Sequence, residues 1–252
     1  MTTFADYQSR YTTISFTRSD GILEMRLHTE GGPLCWGNHP HKEIEEALLL
    51  VGRDRENKIV ILTGTGEEFS GPEVLPEAGR AMPQLSGDAW VDVAWECKNM
   101  LQNLLAIEVP MIAAINGPAL RHAEVPLLCD IVLATPDTVI QDSAHYRGGL
   151  VPGDGMHVVM PALLGISRAR YFLFTGEVIG VGELKGLGLV HEILPHGELM
   201  TRAHALAQTL VKQPKIVRHY TRVLLTEKLR RDMNEMLPYG LALEGLGIVA
   251  SA

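Results

Sequence analysis

The sequence carries ten histidines, and imidazole is the side chain whose ordinary pKa lets it take and return a proton near neutral pH. A histidine whose second ring N–H is accepted by a carboxylate is well suited to activating water. The carboxylate fixes the tautomer and stabilises the imidazolium that forms. Residue type alone does not select among the ten, since a histidine in a loop is more often structural than catalytic. Other chemistries are easier to set aside. Ser143 lies two residues from His145, but the Gly-x-Ser-x-Gly elbow of a serine hydrolase is absent. The segments Gly64-Thr-Gly-Glu-Glu-Phe69 and Gly153-Asp-Gly-Met-His157 lack the spacing and the following acidic residue of a dinucleotide site. No cluster has metal-ligand spacing, so neither metal nor cofactor is expected. Cys35, Cys97 and Cys129, an odd number, form no disulfide framework.

The elements that must position such residues follow from length and pattern. At 252 residues, 46% hydrophobic and 21% charged, the chain suits one α/β domain with a helical appendage. Its net charge of -8 argues against a nucleic acid or an anionic membrane as partner, since both reward a basic face. The opening MTTFADYQSRY has no basic region followed by an apolar run, and no apolar window reaches membrane-spanning length. A cytoplasmic protein is expected. Residues 14–28 read as two strands around Ser19-Asp-Gly21. KIVILTGTG, VPMIAAINGP and CDIVLAT read as strands buried on both faces, with TVIQD a short fourth. Helical spacing covers 41–54, 88–107, 201–213 and 215–231. Strands alternating with helices imply crossovers and mostly parallel pairing. The break at Lys212-Gln-Pro-Lys215 divides a core, 1–214, from a C-terminal helical region, 215–252. That region has apolar residues on more than one face, which predicts packing against another subunit.

VPMIAAINGPAL followed by LLCDIVLAT, then GLVPGDG and LLGISRARYFLFTGEVIGVGELKGLGLVHEIL, resembles the crotonase (enoyl-CoA hydratase/isomerase) superfamily over roughly residues 14–215. The resemblance implies an α/β spiral of mostly parallel strands with crossing helices and a C-terminal helical trimerisation region. Homotrimers or dimers of trimers are then expected. The departures from the family pattern matter most. The turn that usually holds successive glycines reads Ala119-Leu-Arg-His-Ala-Glu124, and Pro72 stands where a glycine is usual. Both backbone donors of the family's oxyanion hole are put in doubt, and with them a CoA thioester. Glu124 occupies the place of one hydratase carboxylate, while the second falls at His145-Tyr146.

These substitutions are similar to those of the β-diketone hydrolases typified by 6-oxocamphor hydrolase, which add water across a C–C bond between two carbonyls. That resemblance implies a small cyclic 1,3-diketone as substrate, with His145, Asp154, His122 and Glu244 as catalytic residues and Trp36 as a binding residue. In this reading neutral His145 is the base for water, and Asp154 accepts its other ring N–H. His122 polarises a carbonyl with the Trp36 N–H as second donor, and Glu244 holds the water or relays the proton that quenches the enolate. Glu124 is taken as a buried structural carboxylate. His39, His41, His157, His191, His196, His204 and His219 are taken as surface or packing residues. Two rivals stand beside it: a CoA-dependent hydratase or isomerase using Glu124, and a non-catalytic protein of the same fold.

Overall fold

A computed structural model describes residues 2–71 and 86–250. Strands β1 (Ile14–Ser19) and β2 (Ile22–Leu27) form a hairpin whose two-residue turn, Asp20 and Gly21, has both φ angles positive, at 54° and 82°. This geometry matches the right-handed twist of the flanking strands and suits an Asp-Gly pair. Beyond the hairpin, β2, β4 (Ile59–Thr63), β6 (Met111–Ile115), β7 (Ile131–Ala134) and β10 (Glu192–Ile193) pair parallel in one six-stranded sheet of order β1-β2-β4-β6-β7-β10. All five residues of β4 and of β6 are buried, as helix cover on both faces of a central parallel strand requires. The strand expected across TVIQD is shorter, β8 (Val139–Ile140), because Asp142 onward turns away toward the site.

A second, smaller layer is built from β3 (Leu34–Cys35) paired with β5 (Ser70–Gly71), and β8 paired with β9 (Ile179–Gly180). Ala119 joins the two pairs by bridges to Ser70 and Ile140. The glycine-free turn after β6 is therefore anchored on both sides. Leu120 N–H donates to Ser70 O at 2.8 Å, Ala119 N–H to Val139 O at 2.8 Å, and the Ser70 and Ser143 hydroxyls to Arg121 O and Leu120 O. Pro72, the other altered position, lies outside the described residues.

Helices α1 (Asn38–Arg53), α2 (Gly87–Ala106), α3 (Glu124–Leu127), α4 (Met156–Leu164), α5 (Ile166–Thr175), α6 (Val181–Gly186) and α7 (His196–Leu210) connect and cover the strands. The last, α8 (Lys215–Ala250), crosses the molecule. Arg222 anchors it: this fully buried guanidinium donates to Ile107 O and Leu104 O and pairs with Asp130. The largest core cluster packs α1, α2, α4 and α8 against one sheet face, and a smaller one packs α7 against the other. Among the described residues no helix is long and apolar enough to cross a membrane.

Candidate active site

Segments from the start, the middle and the end of the chain meet at one cavity of about 140 Å³. Trp36 ends the β3 segment, and His41 lies in the first turn of α1. His122 and Glu124 come from the turn after β6, His145 from the loop after β8, and Asp154 from the turn before α4. Glu244 reaches in from α8. The opposite wall is apolar. Trp90, Val93 and Cys97 share one face of α2 by their helical spacing, with Leu150 beside them.

His122 is the most constrained of these residues. Its φ of 51° is left-handed, a conformation that costs energy for a side chain with a Cβ and recurs at functional sites. Its Nδ1 lies 2.7 Å from Glu124 Oε1, and its Nε2 lies 3.0 Å from Nε2 of His41. The other nitrogen of His41, Nδ1, is 3.1 Å from Gly37 O, a carbonyl that can only accept. His41 thus carries its proton on Nδ1 and accepts on Nε2, so His122 must donate from Nε2. All contacts are satisfied when His122 is an imidazolium. The electrostatics agree in direction. Burial works against a charged His122, but the Glu124 carboxylate outweighs it and holds the ring above the ordinary imidazole value. Burial and then the His122 charge push His41 down to about 3. The indole of Trp36 packs against His122, with ring centroids 4.2 Å apart and an interplanar angle of 47°.

His145 differs from the sequence expectation. Its Nδ1 bonds Asp142 Oδ1 at 2.6 Å, not Asp154. Asp142 sits three residues upstream, on the same short loop, and is almost fully buried. Nε2 instead faces Asp154 Oδ1 at 3.2 Å and Glu244 Oε1 at 3.8 Å. The orienting carboxylate is therefore Asp142, and Asp154 stands on the working side of the ring. Nor is the ring biased toward neutrality. Burial opposes its charge, yet Asp154 and Asp142 together hold it well above the ordinary imidazole range. Asp154 is correspondingly depressed: burial would raise it, but the His145 charge prevails. Glu244 goes the other way, raised to about 8 by burial and by Asp154, so at neutral pH it keeps its proton.

One further correction follows. His41, read as a surface or packing histidine, lines the cavity and bonds His122. Glu124, read as a buried structural carboxylate, is completely buried, and its Oε1 lies 2.7 Å from His122 Nδ1. Trp36 Nε1, Asp154 Oδ1 and Glu244 Oε2 are buried with no hydrogen-bond partner among the described residues. The first is a free donor, and Asp154 Oδ1 faces His145 Nε2. His122, Glu124 and Asp154 each offer one ligand atom, all within 4.8 Å of one another. A metal ion there would have to displace the proton that joins His122 to Glu124.

Residues 18–245 match the family model described as enoyl-CoA hydratase/isomerase. The chain belongs to the enoyl-CoA hydratase/isomerase family. Among curated members, a putative enoyl-CoA hydratase/isomerase of Bacillus subtilis is 31% identical, over 74% of this chain and 69% of that one. The mitochondrial enoyl-CoA hydratase domain-containing protein 2 of Bos taurus is 27% identical, over 90% and 76%. Among solved structures, a β-diketone hydrolase from the cyanobacterium Anabaena sp. PCC 7120, bound to (S)-3-oxocyclohexyl acetic acid, is 44% identical, covers 98% of both chains and superposes with a TM-score of 0.93. An enoyl-CoA hydratase/isomerase from Mycobacterium paratuberculosis shares the fold at 20% identity, with a TM-score of 0.86 over 96% of this chain and 95% of that one.

Proposed function

We propose that this member of the enoyl-CoA hydratase/isomerase family hydrolyses the C–C bond between the two carbonyls of a compact cyclic 1,3-diketone, giving a keto acid. The observation that carries the reading is the division of the cavity. Its apolar half fits a hydrocarbon ring, and its polar half sets the free Trp36 N–H and the His122 ring against a histidine–carboxyl group. The β-diketone hydrolase likeness at 44% identity supports the same chemistry.

The roles follow from the geometry. Water held by Asp154 Oδ1 and Glu244 loses a proton to Nε2 of the neutral fraction of His145 as its oxygen attacks one carbonyl carbon. The developing oxyanion is stabilised by the positive charge of the His122 ring, paired with Glu124, and accepts from the free Trp36 N–H. A preorganised donor of this kind is typically worth about 10²–10³-fold in turnover. Collapse restores the carbonyl as a carboxylic acid and breaks the C–C bond, whose electron pair becomes the enolate of the second carbonyl. Glu244, protonated at neutral pH, supplies the proton to carbon and is re-protonated by His145. One water is consumed, and no redox step occurs.

The test is direct. Purified protein is mixed with a bicyclic 1,3-diketone and, separately, with crotonyl-CoA, and the loss of each chromophore is followed. Consumption of the diketone with appearance of the keto acid is expected. Hydration of crotonyl-CoA with the diketone untouched would restore the thioester reading through Glu124, and inertness toward both would leave a binding protein.

A further inference from the structure

His157 stands outside the cavity, yet both of its ring nitrogens face carbonyl oxygens: Nδ1 lies 2.9 Å from Pro152 O and Nε2 3.1 Å from Met236 O. Those carbonyls belong to the two segments that carry Asp154 and Glu244. Met236, Gly240 and Glu244 recur every four residues and so share one face of α8. Pro152, Gly153 and Asp154 run along that face in step. The first rung is the imidazole between Pro152 and Met236. The second is a backbone contact so close that a Cβ on Gly153 would sit 2.2 Å from Gly240 O, and a Cβ on Gly240 would sit 2.2 Å from Cε1 of His157. The third rung is Asp154 and Glu244 themselves, both facing Nε2 of His145.

We infer that His157 is a positioning residue: its ring straps the turn before α4 to α8 and thereby sets how closely Glu244 approaches Asp154 and His145. Two carbonyl acceptors are a demanding pair for an imidazole, since the neutral ring has one N–H to offer and only the protonated ring has two. An apolar or shorter side chain could fill part of the space but could not join the two segments. Glycine at 153 and 240 permits the approach, and His157 holds it closed.

The inference rests on the proposed reaction only in treating Glu244 as functional, and its test needs no turnover. The δ-carboxyl of Glu244 is titrated by NMR in protein labelled with ¹³C at glutamate, with Glu244→Gln identifying the resonance. The groups facing it are Asp154, His145, His122 and Asp142, with the Cys97 thiol nearby. In the wild type the midpoint is expected near pH 8. His157→Ala should admit water and let Glu244 move away from Asp154, lowering the midpoint by a pH unit or more, a change of about tenfold or greater in proton affinity. His157→Gln can reach only one of the two carbonyls and His157→Asn only the other, so each should fall in between. They carry the test if the alanine variant does not fold. A midpoint unchanged from the wild type in variants with native circular dichroism would overturn the inference, as would a wild-type midpoint in the ordinary carboxylate range. A wild type that fails to consume diketones while its Glu244 midpoint still depends on His157 would sink the reaction and leave the strap standing.

Discussion

His145 sits among three carboxyl groups, and which one holds it decides what it can do. Asp142 fixes Nδ1 at 2.6 Å, so Nε2 is the nitrogen presented to water, between Asp154 and Glu244. His145→Ala should lower kcat/KM by about 10²–10⁴-fold, the usual contribution of a positioned base. Asp142→Asn should lose a comparable factor, because an amide at that place also favours the wrong tautomer. The double variant should lose little more than His145→Ala alone, since the two act as one unit; losses that multiply would separate them. The pH profile follows from the same contacts. The base works only when neutral, and its pKa is raised, so the acid limb of kcat/KM should lie above the ordinary imidazole value. The acid works only when protonated, so activity should also fall above about pH 8 as Glu244 ionises. Removing the Asp142 charge lowers the His145 pKa, so Asp142→Asn should move the acid limb to lower pH. Glu244→Gln should abolish the alkaline limb along with most of the turnover. A profile flat across both limbs would refute these roles. Asp142 was legible in principle, as Asp-x-x-His within one loop. His41 was not, because it lies 81 residues from His122 and no pattern in the sequence brings the two together.

At the scale of elements, the sequence displays what is buried and hides what must touch. β4 and β6 read clearly as strands because every residue in them is apolar or small and covered on both faces. The hairpin read clearly because Asp-Gly suits its turn. The cavity did not, since it is assembled from loop ends, one helix start and parts of two helix faces, and no single periodic pattern marks that assembly. Gly240 illustrates this. In the sequence it is a glycine that weakens a helix; in the structure it is where α8 passes 153–154 at backbone contact. Gly240→Ala removes a helix-destabilising residue yet should cost about 1–3 kcal/mol, as overpacking of a filled site does, and should lower turnover by displacing Glu244. Thermal melts and diketone kinetics on the same preparation check both. A stabilised, fully active variant would mean that the contact does not position the acid.

The whole molecule presents an apolar exterior that a solitary chain has little reason to keep. On α8, Ile216, Tyr220 and Leu224 recur every four residues along one stripe, and Leu224 and Leu225 are 76% and 69% exposed. Tyr171 and Phe174 of α5 add a second exposed group, with Tyr146 in edge contact with Phe174. Contiguous apolar surface of this kind usually marks an interface, and a stable one buries on the order of 1,200 Å² or more in total. The net charge of -8 keeps the remaining surface soluble while leaving these faces free to associate. We therefore expect a homotrimer, with pairing into hexamers through a second face. The mass in solution, measured by light scattering across micromolar concentrations, should correspond to three or six chains. Leu224→Glu places a charge at the most exposed position of the stripe and should shift the distribution toward smaller species while leaving the fold intact by circular dichroism. If the cavity is complete within one chain, as the residues lining it indicate, the dissociated variant should keep its turnover per chain. A wild type that scatters as a monomer at all these concentrations would show that the exposed stripe serves something other than self-association.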